Sequence, residues 1–305
     1  MIAPSRPSTS AFLELNRHRH HVRVWQGAAD APTLFLLHGW MDCSASFQFL
    51  VDALPAGWTV VSFDWRGFGE SDWNVGGYYA PDYLADLDAL LEHFSPRAPV
   101  WLAGHSMGGM VAMLYAGIRP ERVARLASLE GFGLPATQPE EAPGRYARWL
   151  RETRAAPVFG PLESMDRLAE RQIERNRHLT RERARFMAEA LTVADGGALR
   201  YRADPRHKMV NPVLYRLEEA KACWRRIAAP VLWLIGGDTW DHPMAKGVFA
   251  TLDERRECFA DLEEVTVENA GHMLHLEQPE ATAKALAAFF TAQPARADAG
   301  GTDTQ

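Results

Sequence analysis

The feature that most constrains the fold is a short glycine-rich turn between an apolar run and a helical pattern. Gly104-His-Ser-Met-Gly108 follows the apolar residues 100–103 and opens a segment, 107–118, whose apolar residues recur three and four positions apart. Glycines two positions before and after Ser106 let neighbouring backbone pass close to a sharply turned serine. The pattern predicts a strand–turn–helix unit with Ser106 as a candidate nucleophile; the alternative is an unreactive glycine turn.

Further apolar runs alternate with helical patterns along the chain. Short continuous runs of this kind are typical of strands buried on both faces of a parallel sheet. They lie at residues 33–37, 59–63, 125–129, 231–235 and 264–267, and helical patterns lie at 46–54, 81–94 and 279–290. The alternation predicts an α/β fold built around a mainly parallel sheet flanked by helices.

This alternation is interrupted in the middle of the chain. From residue 134 to 227 the sequence is helical and rich in arginine, and no apolar strand run is evident. We therefore predict an α/β core of residues 1–133 and 228–292 and an inserted helical cap of residues 134–227. Residues 293–305 lack an apolar period and are predicted to be a disordered tail.

The predicted cap carries most of the positive charge, although the whole chain has a net charge of −6. Between residues 140 and 226 there are 19 lysines and arginines against 13 aspartates and glutamates. Such a segment could attract an acidic ligand or nucleic acid. Because its arginines alternate with glutamates at helical spacing, as in residues 167–175, a solvated helix face with ion pairs is favoured, and no nucleic-acid partner is expected.

Composition limits the compartment and the cofactors. Hydrophobic residues make up 47% of the chain, yet no apolar run reaches the roughly 18 residues of a membrane span, and no membrane partner is expected. The N-terminus lacks a signal-peptide pattern. Cys43, Cys223 and Cys258 are scattered and odd in number, which favours a reducing cytoplasm and indicates neither a disulfide framework nor a metal site.

Two other loops after strands carry residues that suit acyl-transfer chemistry. His38-Gly39-Trp40 follows the 33–37 strand, and the backbone N–H of Trp40 is a candidate oxyanion donor together with that of Met107. The alternative for this loop is a simple strand-ending turn.

His272 follows the last predicted strand, from which a histidine can reach across the strand ends to Ser106 as a general base. His275 is about one helical turn further on and is the alternative. The histidines near the N-terminal strands, His18, His20 and His21, are expected at the surface.

Taken together, these motifs resemble the α/β-hydrolase superfamily over about residues 12–292. The motifs are Leu37-His-Gly-Trp40, Asp64-Trp-Arg-Gly-Phe-Gly-Glu-Ser71, Gly104-His-Ser-Met-Gly-Gly109 and Ala270-Gly-His272. They look closest to the serine-hydrolase-like branch that shares a helical cap with epoxide hydrolases and haloalkane dehalogenases. The resemblance implies an eight-stranded, mostly parallel sheet and a Ser-His-acid triad. Because the nucleophile position holds Ser106 and not aspartate, we expect a cofactor-free serine hydrolase for an ester, thioester or related acyl bond of a small molecule.

The acid of the triad is ambiguous in this sequence. In the family it usually follows the strand equivalent to residues 231–235 in a G-x-x-D-x-x-x-P pattern, but here Thr239 occupies the acidic position. Asp238 lies one residue early and Asp241 two residues late. Some relatives place the acid after the previous strand, where this chain has Glu130. Glu130 is the first candidate and Asp238 the second; the alternative for Glu130 is an ordinary polar residue at a strand end.

Two other functions fit parts of the same pattern. His38-Gly39-Trp40, Trp65-Arg66-Gly67 and Glu130 also resemble the cofactor-free dioxygenases of N-heteroaromatic rings. The form of the elbow, Gly104-His-Ser-Met-Gly108, favours the hydrolase. A non-catalytic small-molecule binder normally loses a triad residue, whereas this chain keeps Ser106 and His272.

Overall fold

A computed structural model describes residues 4–239 and 243–293. Asp241 and residues 294–305 of the predicted tail lie outside the described residues. The strands are Thr9–Leu15 (β1), His18–Trp25 (β2), Thr33–Leu37 (β3), Thr59–Phe63 (β4), Val100–His105 (β5), Val123–Leu129 (β6), Thr192–Asp195 (β7), Ala198–Tyr201 (β8), Val231–Gly236 (β9) and Leu262–Val267 (β10).

The helices lie between these strands and at the C-terminal end of the described chain. They are Gln48–Ala53 (α1), Ala80–Phe94 (α2), Met107–Ile118 (α3), Ala142–Arg154 (α4), Met165–Arg175 (α5), Arg181–Ala190 (α6), Leu217–Trp224 (α7), Pro243–Phe249 (α8), Leu252–Arg256 (α9), Leu274–Glu277 (α10) and Pro279–Thr291 (α11). Within the described ranges, none of them has both the length and the apolar character needed to cross a bilayer.

Eight strands form one sheet in the order β1-β2-β4-β3-β5-β6-β9-β10. β2 pairs antiparallel with β1 and β4, and all the other neighbours are parallel. Both faces are covered, because Leu34 and Leu36 of β3 belong to one apolar cluster while Phe35 and Leu37 belong to the other. This arrangement explains the continuous apolar runs and confirms the predicted fold class.

The 134–227 segment contains more than helices. β7 and β8 form a separate antiparallel hairpin, in which Gly196 and Gly197 both have positive φ, as a tight two-residue turn requires. α7 packs against α3 of the core so closely that a Cβ on Gly117 would lie 2.0 Å from the carbonyl oxygen of Cys223. The division into core and cap at residue 227 stays a prediction.

A short contact joins the 134–227 segment to the loop after β4. The ring of His207 is stacked between Phe68 and Tyr78, with ring centroids 3.7 and 3.6 Å away. The Tyr78 hydroxyl donates to Oδ2 of Asp204 at 2.7 Å, and the Asp204 N–H donates to the carbonyl of Gly67 at 2.8 Å. A ring packed in this way favours the neutral imidazole.

We expect acid to loosen this contact, and His207→Phe to make it less sensitive to pH. Burial lowers the pKa of His207 from 6.5 to about 3, although nearby Asp204 raises it. Between those values the unfolded chain binds more protons than the folded one, so the free energy of unfolding falls as the pH falls through that window. The phenylalanine ring keeps the stack without titrating. Denaturant melts at several pH values check this: the variant should lose less stability than wild type between neutral pH and pH 4, and equal losses would contradict the assignment.

Candidate active site

Ser106 stands on the turn between β5 and α3 in a strained backbone conformation. Its φ of 50° and ψ of −117° lie in a region that non-glycine residues rarely adopt. Its N–H donates to the carbonyl of Leu129 at 2.8 Å, and its own carbonyl accepts from the N–H of Met110 at 3.0 Å. The strand on one side and the first helical turn on the other therefore hold the strained residue in place.

The two glycines that flank Ser106 are required by close backbone approaches. A Cβ on Gly104 would lie 2.3 Å from the carbonyl carbon of Gly108. A Cβ on Gly108 would lie 2.2 Å from the carbonyl oxygen of Leu37, at the end of β3. Real side chains do not tolerate such distances, so the glycine spacing inferred from the sequence has a direct steric cause here.

The loop after β3 passes next to Ser106. A Cβ on Gly39 would lie 3.3 Å from the Cβ of Ser106 and 2.8 Å from Nδ1 of His105. Trp40 follows with a half-exposed side chain, and Met107 is the first residue of α3 after Ser106. The loop after β3 and the start of α3 therefore both lie next to the serine.

His38 fixes the course of this loop. The Trp65 N–H donates to Nε2 of His38 at 3.0 Å, so Nε2 is the acceptor, and Nδ1–H donates to the Gly39 carbonyl at 2.8 Å. The Trp65 indole N–H also donates to the His38 carbonyl at 2.9 Å. Burial lowers the pKa of His38 to about 4, which keeps the ring neutral as both hydrogen bonds require. Sequence reasoning missed this role, because it depends on Trp65, which follows a different strand.

His272 and Glu130 come together from different strand ends. Glu130 directly follows β6 with φ of 57°, and Oε2 of its buried carboxylate lies 3.4 Å from Nδ1 of His272. The other oxygen, Oε1, accepts from the Gly236 N–H at 2.6 Å and from the Thr239 hydroxyl at 2.5 Å. One carboxylate oxygen is therefore anchored at the end of β9 while the other faces the histidine.

Thr239 explains the shifted acid pattern. It occupies the position where the G-x-x-D-x-x-x-P pattern puts an acid, and its hydroxyl instead donates to Glu130. A hydroxyl at this position can donate a hydrogen bond to an acid that follows the neighbouring strand β6, as Glu130 does.

The carboxylate of Asp238 is held by the 134–227 segment. It accepts hydrogen bonds from Nε of Arg177 at 2.9 Å and from Nε2 of His178 at 2.7 Å. The Arg177 hydrogen bond, followed by that from His178, lowers the pKa of Asp238. Asp241, the other sequence candidate, lies outside the described residues.

A buried polar cluster stands behind the serine turn. Nε2–H of His105 donates to the His272 carbonyl at 2.7 Å. In the neutral ring Nδ1 of His105 is then unprotonated and can only accept a hydrogen bond. Nε2 of His275 lies 3.9 Å from Oδ2 of Asp42. Burial raises the pKa of Asp42 to about 7 and lowers that of His275 to about 3. His275, the alternative base, is thus fully buried, whereas the His272 side chain is 38% exposed.

This cluster has a donor set that sequence reasoning did not find. Donor atoms of Asp42, His105 and His275 all lie within 4.8 Å of one another, close enough to hold a metal ion. The scattered cysteines predict no metal site, and this donor set contains no cysteine. The three residues come from the loop after β3, the end of β5 and α10, which are far apart in sequence, so no local spacing signals them.

Comparison with known proteins assigns the chain to a family. Residues 32–279 match the family model of the alpha/beta hydrolase fold, so the chain belongs to that family. It is 27% identical to a serine hydrolase-like protein of Danio rerio over 287 residues, which cover 89% of this chain and 85% of the relative. It is 26% identical to the sn-1-specific diacylglycerol lipase ABHD11 of Mus musculus, over 87% of this chain and 82% of the relative.

A solved structure supports the same fold. The thioesterase domain from the curacin biosynthetic pathway superposes with a TM-score of 0.79 at 23% identity, over 92% of this chain and 99% of that domain. With the serine hydrolase and lipase relatives, the family match confirms the prediction that this chain is a serine hydrolase enzyme.

Proposed function

We propose that the protein hydrolyses an ester or thioester of a small molecule through an acyl-enzyme formed on Ser106. His272 is the general base, and Glu130 is the acid that orients it. The observation that carries the proposal is the 3.4 Å approach of Glu130 Oε2 to His272 Nδ1, made while Thr239 and Gly236 hold Oε1. Asp238, whose carboxylate is engaged by Arg177 and His178, is not part of the proposed triad.

The proposed reaction has two steps, acylation of Ser106 and hydrolysis of the acyl-enzyme. The Ser106 oxygen attacks the substrate carbonyl while His272 takes the hydroxyl proton, and the imidazolium then protonates the leaving alcohol or thiol. Water next attacks the acyl-enzyme, His272 accepts a proton from that water, and Ser106 recovers its proton as the acid product leaves. Glu130 accepts the Nδ1–H throughout and stabilises the imidazolium.

The proposed oxyanion hole uses the backbone N–H groups of Met107 and Trp40. Met107 is at the N-terminus of α3, where backbone N–H groups have no partner within the helix and the helix dipole favours negative charge. Trp40 is on the loop that His38 holds against Trp65. A rigid loop supports this role because donors fixed before the reaction need no reorganisation as negative charge develops.

Residues 134–227 are proposed to form a cap over the C-terminal ends of the parallel strands. Two contacts support this: Arg177 and His178 bind Asp238 just beyond β9, and His207 is stacked on the loop after β4. A cap in this position would exclude water and select the substrate. We also propose that the enzyme acts in the cytoplasm without nucleic acid; its cysteines, Cys43, Cys223 and Cys258, are all free thiols.

The proposed function predicts hydrolysis of simple activated esters. Nitrophenyl esters with acyl chains from acetyl to octanoyl should be cleaved with saturation kinetics, and a thioester of the preferred chain should also be cleaved. Release of nitrophenolate and consumption of oxygen are measured in parallel, with a quinolone as the second substrate. Oxygen uptake on the quinolone without ester cleavage would favour a dioxygenase and contradict the proposal.

A further inference from the structure

The strongest unexplained feature is a cavity of about 390 Å³ beside the loop that follows β3. Its wall includes Trp40, Met41 and Asp42 from this loop, and a face of α5 from the 134–227 segment. The cavity therefore borders the loop that carries the proposed oxyanion donor Trp40, and this loop passes next to Ser106.

One face of α5 is turned toward this cavity. Leu168, Arg171, Gln172 and Arg175 line it, and their spacing of three, four and seven residues puts them on one side of the helix. The remaining charged residues follow the pattern of a solvated face, because Arg167 pairs with Glu170 at 3.1 Å and Glu174 at 2.9 Å. Helix α5 thus has two charged faces, and ion pairs within the helix account for the charges on only one of them.

Four cations line the cavity, and two of them have carboxylate partners. Arg171 pairs with Glu163 at 3.2 Å, and Arg202 pairs with Glu70 at 3.5 Å. Among the described residues that line the cavity, Asp42 is the only one with a carboxyl group, and burial raises the pKa of that group to about 7. The lining therefore carries a clear excess of positive charge.

The other two cations are Arg175 and Lys208, and neither has an ion pair with a residue of the described ranges. Lys208 Nζ donates to the Val158 carbonyl at 3.3 Å and lies 5.2 Å from the centre of the Phe159 ring, and neither contact neutralises its charge. Like charges that share one cavity repel each other, and a bound anion would relieve that repulsion.

The cavity is also partly apolar. Leu168, Leu191, Phe159 and Tyr201 line it together with the four cations. A wall of this composition suits a short carbon chain that ends in an anionic group, because the chain contacts the apolar side chains while the anion accepts hydrogen bonds from guanidinium and ammonium groups.

We propose that the substrate is an ester or thioester bearing a carboxylate, which Arg175 and Lys208 bind, with Arg171 beside them. This inference rests on the proposed hydrolase function, and it goes further by assigning a charge to the substrate. In this proposal the cations hold the carboxylate in the cavity while the reacting carbonyl lies near the loop that contains Trp40.

The test compares matched esters that differ in one charge. Nitrophenyl hydrogen glutarate is compared with nitrophenyl pentanoate, and acetoxybenzoate with phenyl acetate, so that the carboxylate stands on the acyl side in one pair and on the alcohol side in the other. In at least one pair the anionic ester should have the higher kcat/KM, and added salt should reduce that preference.

Arg175→Gln identifies the residue responsible. Loss of a charged hydrogen bond should lower kcat/KM for the preferred anionic ester by roughly 10- to 100-fold, mainly through KM, and lower kcat/KM for its neutral counterpart much less. Arg167→Gln, on the same helix but paired with Glu170 and Glu174, is the matched control and should change neither ester.

The outcomes separate the two proposals. Hydrolysis that depends on Ser106 but favours the neutral esters, or an equal loss for both esters in Arg175→Gln, would overturn the anion site and leave the hydrolase proposal intact. Absence of any hydrolysis that depends on Ser106 would overturn both.

Discussion

Ser106→Ala should lower ester turnover by a factor on the order of 10⁶ while leaving the fold unchanged. The alanine keeps the Cβ that the strained turn already accommodates, and it removes only the oxygen that forms the acyl-enzyme. Steady-state rates and far-ultraviolet circular dichroism of the purified variant check both halves of this expectation.

Ser128→Ala is the matched control for this variant. Ser128 is buried on β6 next to the turn, and its hydroxyl donates to the Gly131 carbonyl at 3.3 Å. Losing one neutral hydrogen bond costs about 1 kcal/mol of folding stability, and the Ser128 hydroxyl takes no part in the proposed reaction, so turnover should stay close to that of wild type. A Ser106→Ala enzyme as active as this control would end the acyl-enzyme account.

Glu130→Gln should lower turnover by about 10⁴-fold, whereas Asp238→Asn should have a much smaller effect. Glutamine has the size of glutamate, and its amide can keep a contact with Thr239. It cannot stabilise the imidazolium of His272, and an NH₂ group facing Nδ1 favours the wrong tautomer of the ring. Rates measured with one ester and at one pH for all variants provide the comparison.

Asp238→Asn is informative because it removes a charge close to the same site. The Asp238 carboxylate binds Arg177 and His178, so its loss should loosen that contact and alter KM more than kcat. The reverse order, with Asp238→Asn the more damaging change, would transfer the role of the acid to Asp238.

The sequence predicts those parts of the fold in which a short local pattern of residues has a single physical explanation. Residues 33–37 and 59–63 are apolar without interruption because both faces of the sheet are buried, and the structure has strands at those positions. The glycine spacing around Ser106 was equally predictable, because the backbone approaches at Gly104 and Gly108 exclude a side chain.

The features that could not be predicted depend on contacts between distant parts of the chain. His20 and His21 were expected at the surface, and this is wrong: both are buried. Nδ1 of His21 lies 2.8 Å from Oδ2 of Asp64, and Nε2 of His20 lies 3.5 Å from Oδ1 of Asp86. These carboxylates are more than 40 residues away in sequence, so nothing near the histidines signals their partners.

The same reason explains the candidate site. Resemblance alone puts Glu130 before Asp238 as the acid, and the hydrogen bond from Thr239 to Glu130 depends on the pairing of β6 with β9, which no local pattern indicates. The hairpin of β7 and β8 is not evident from the sequence, because its strands are only four residues each and mostly exposed, so they have little apolar alternation.

Covalent labelling shows directly whether Ser106 is the nucleophile. The wild-type enzyme is treated with a fluorophosphonate, its intact mass is measured, and the modified peptide is sequenced by tandem mass spectrometry. We expect one adduct per chain, located on Ser106, with activity lost in proportion to labelling and no adduct in Ser106→Ala. An adduct on a different residue that accompanies the loss of activity, or full activity in completely labelled enzyme, would contradict this expectation.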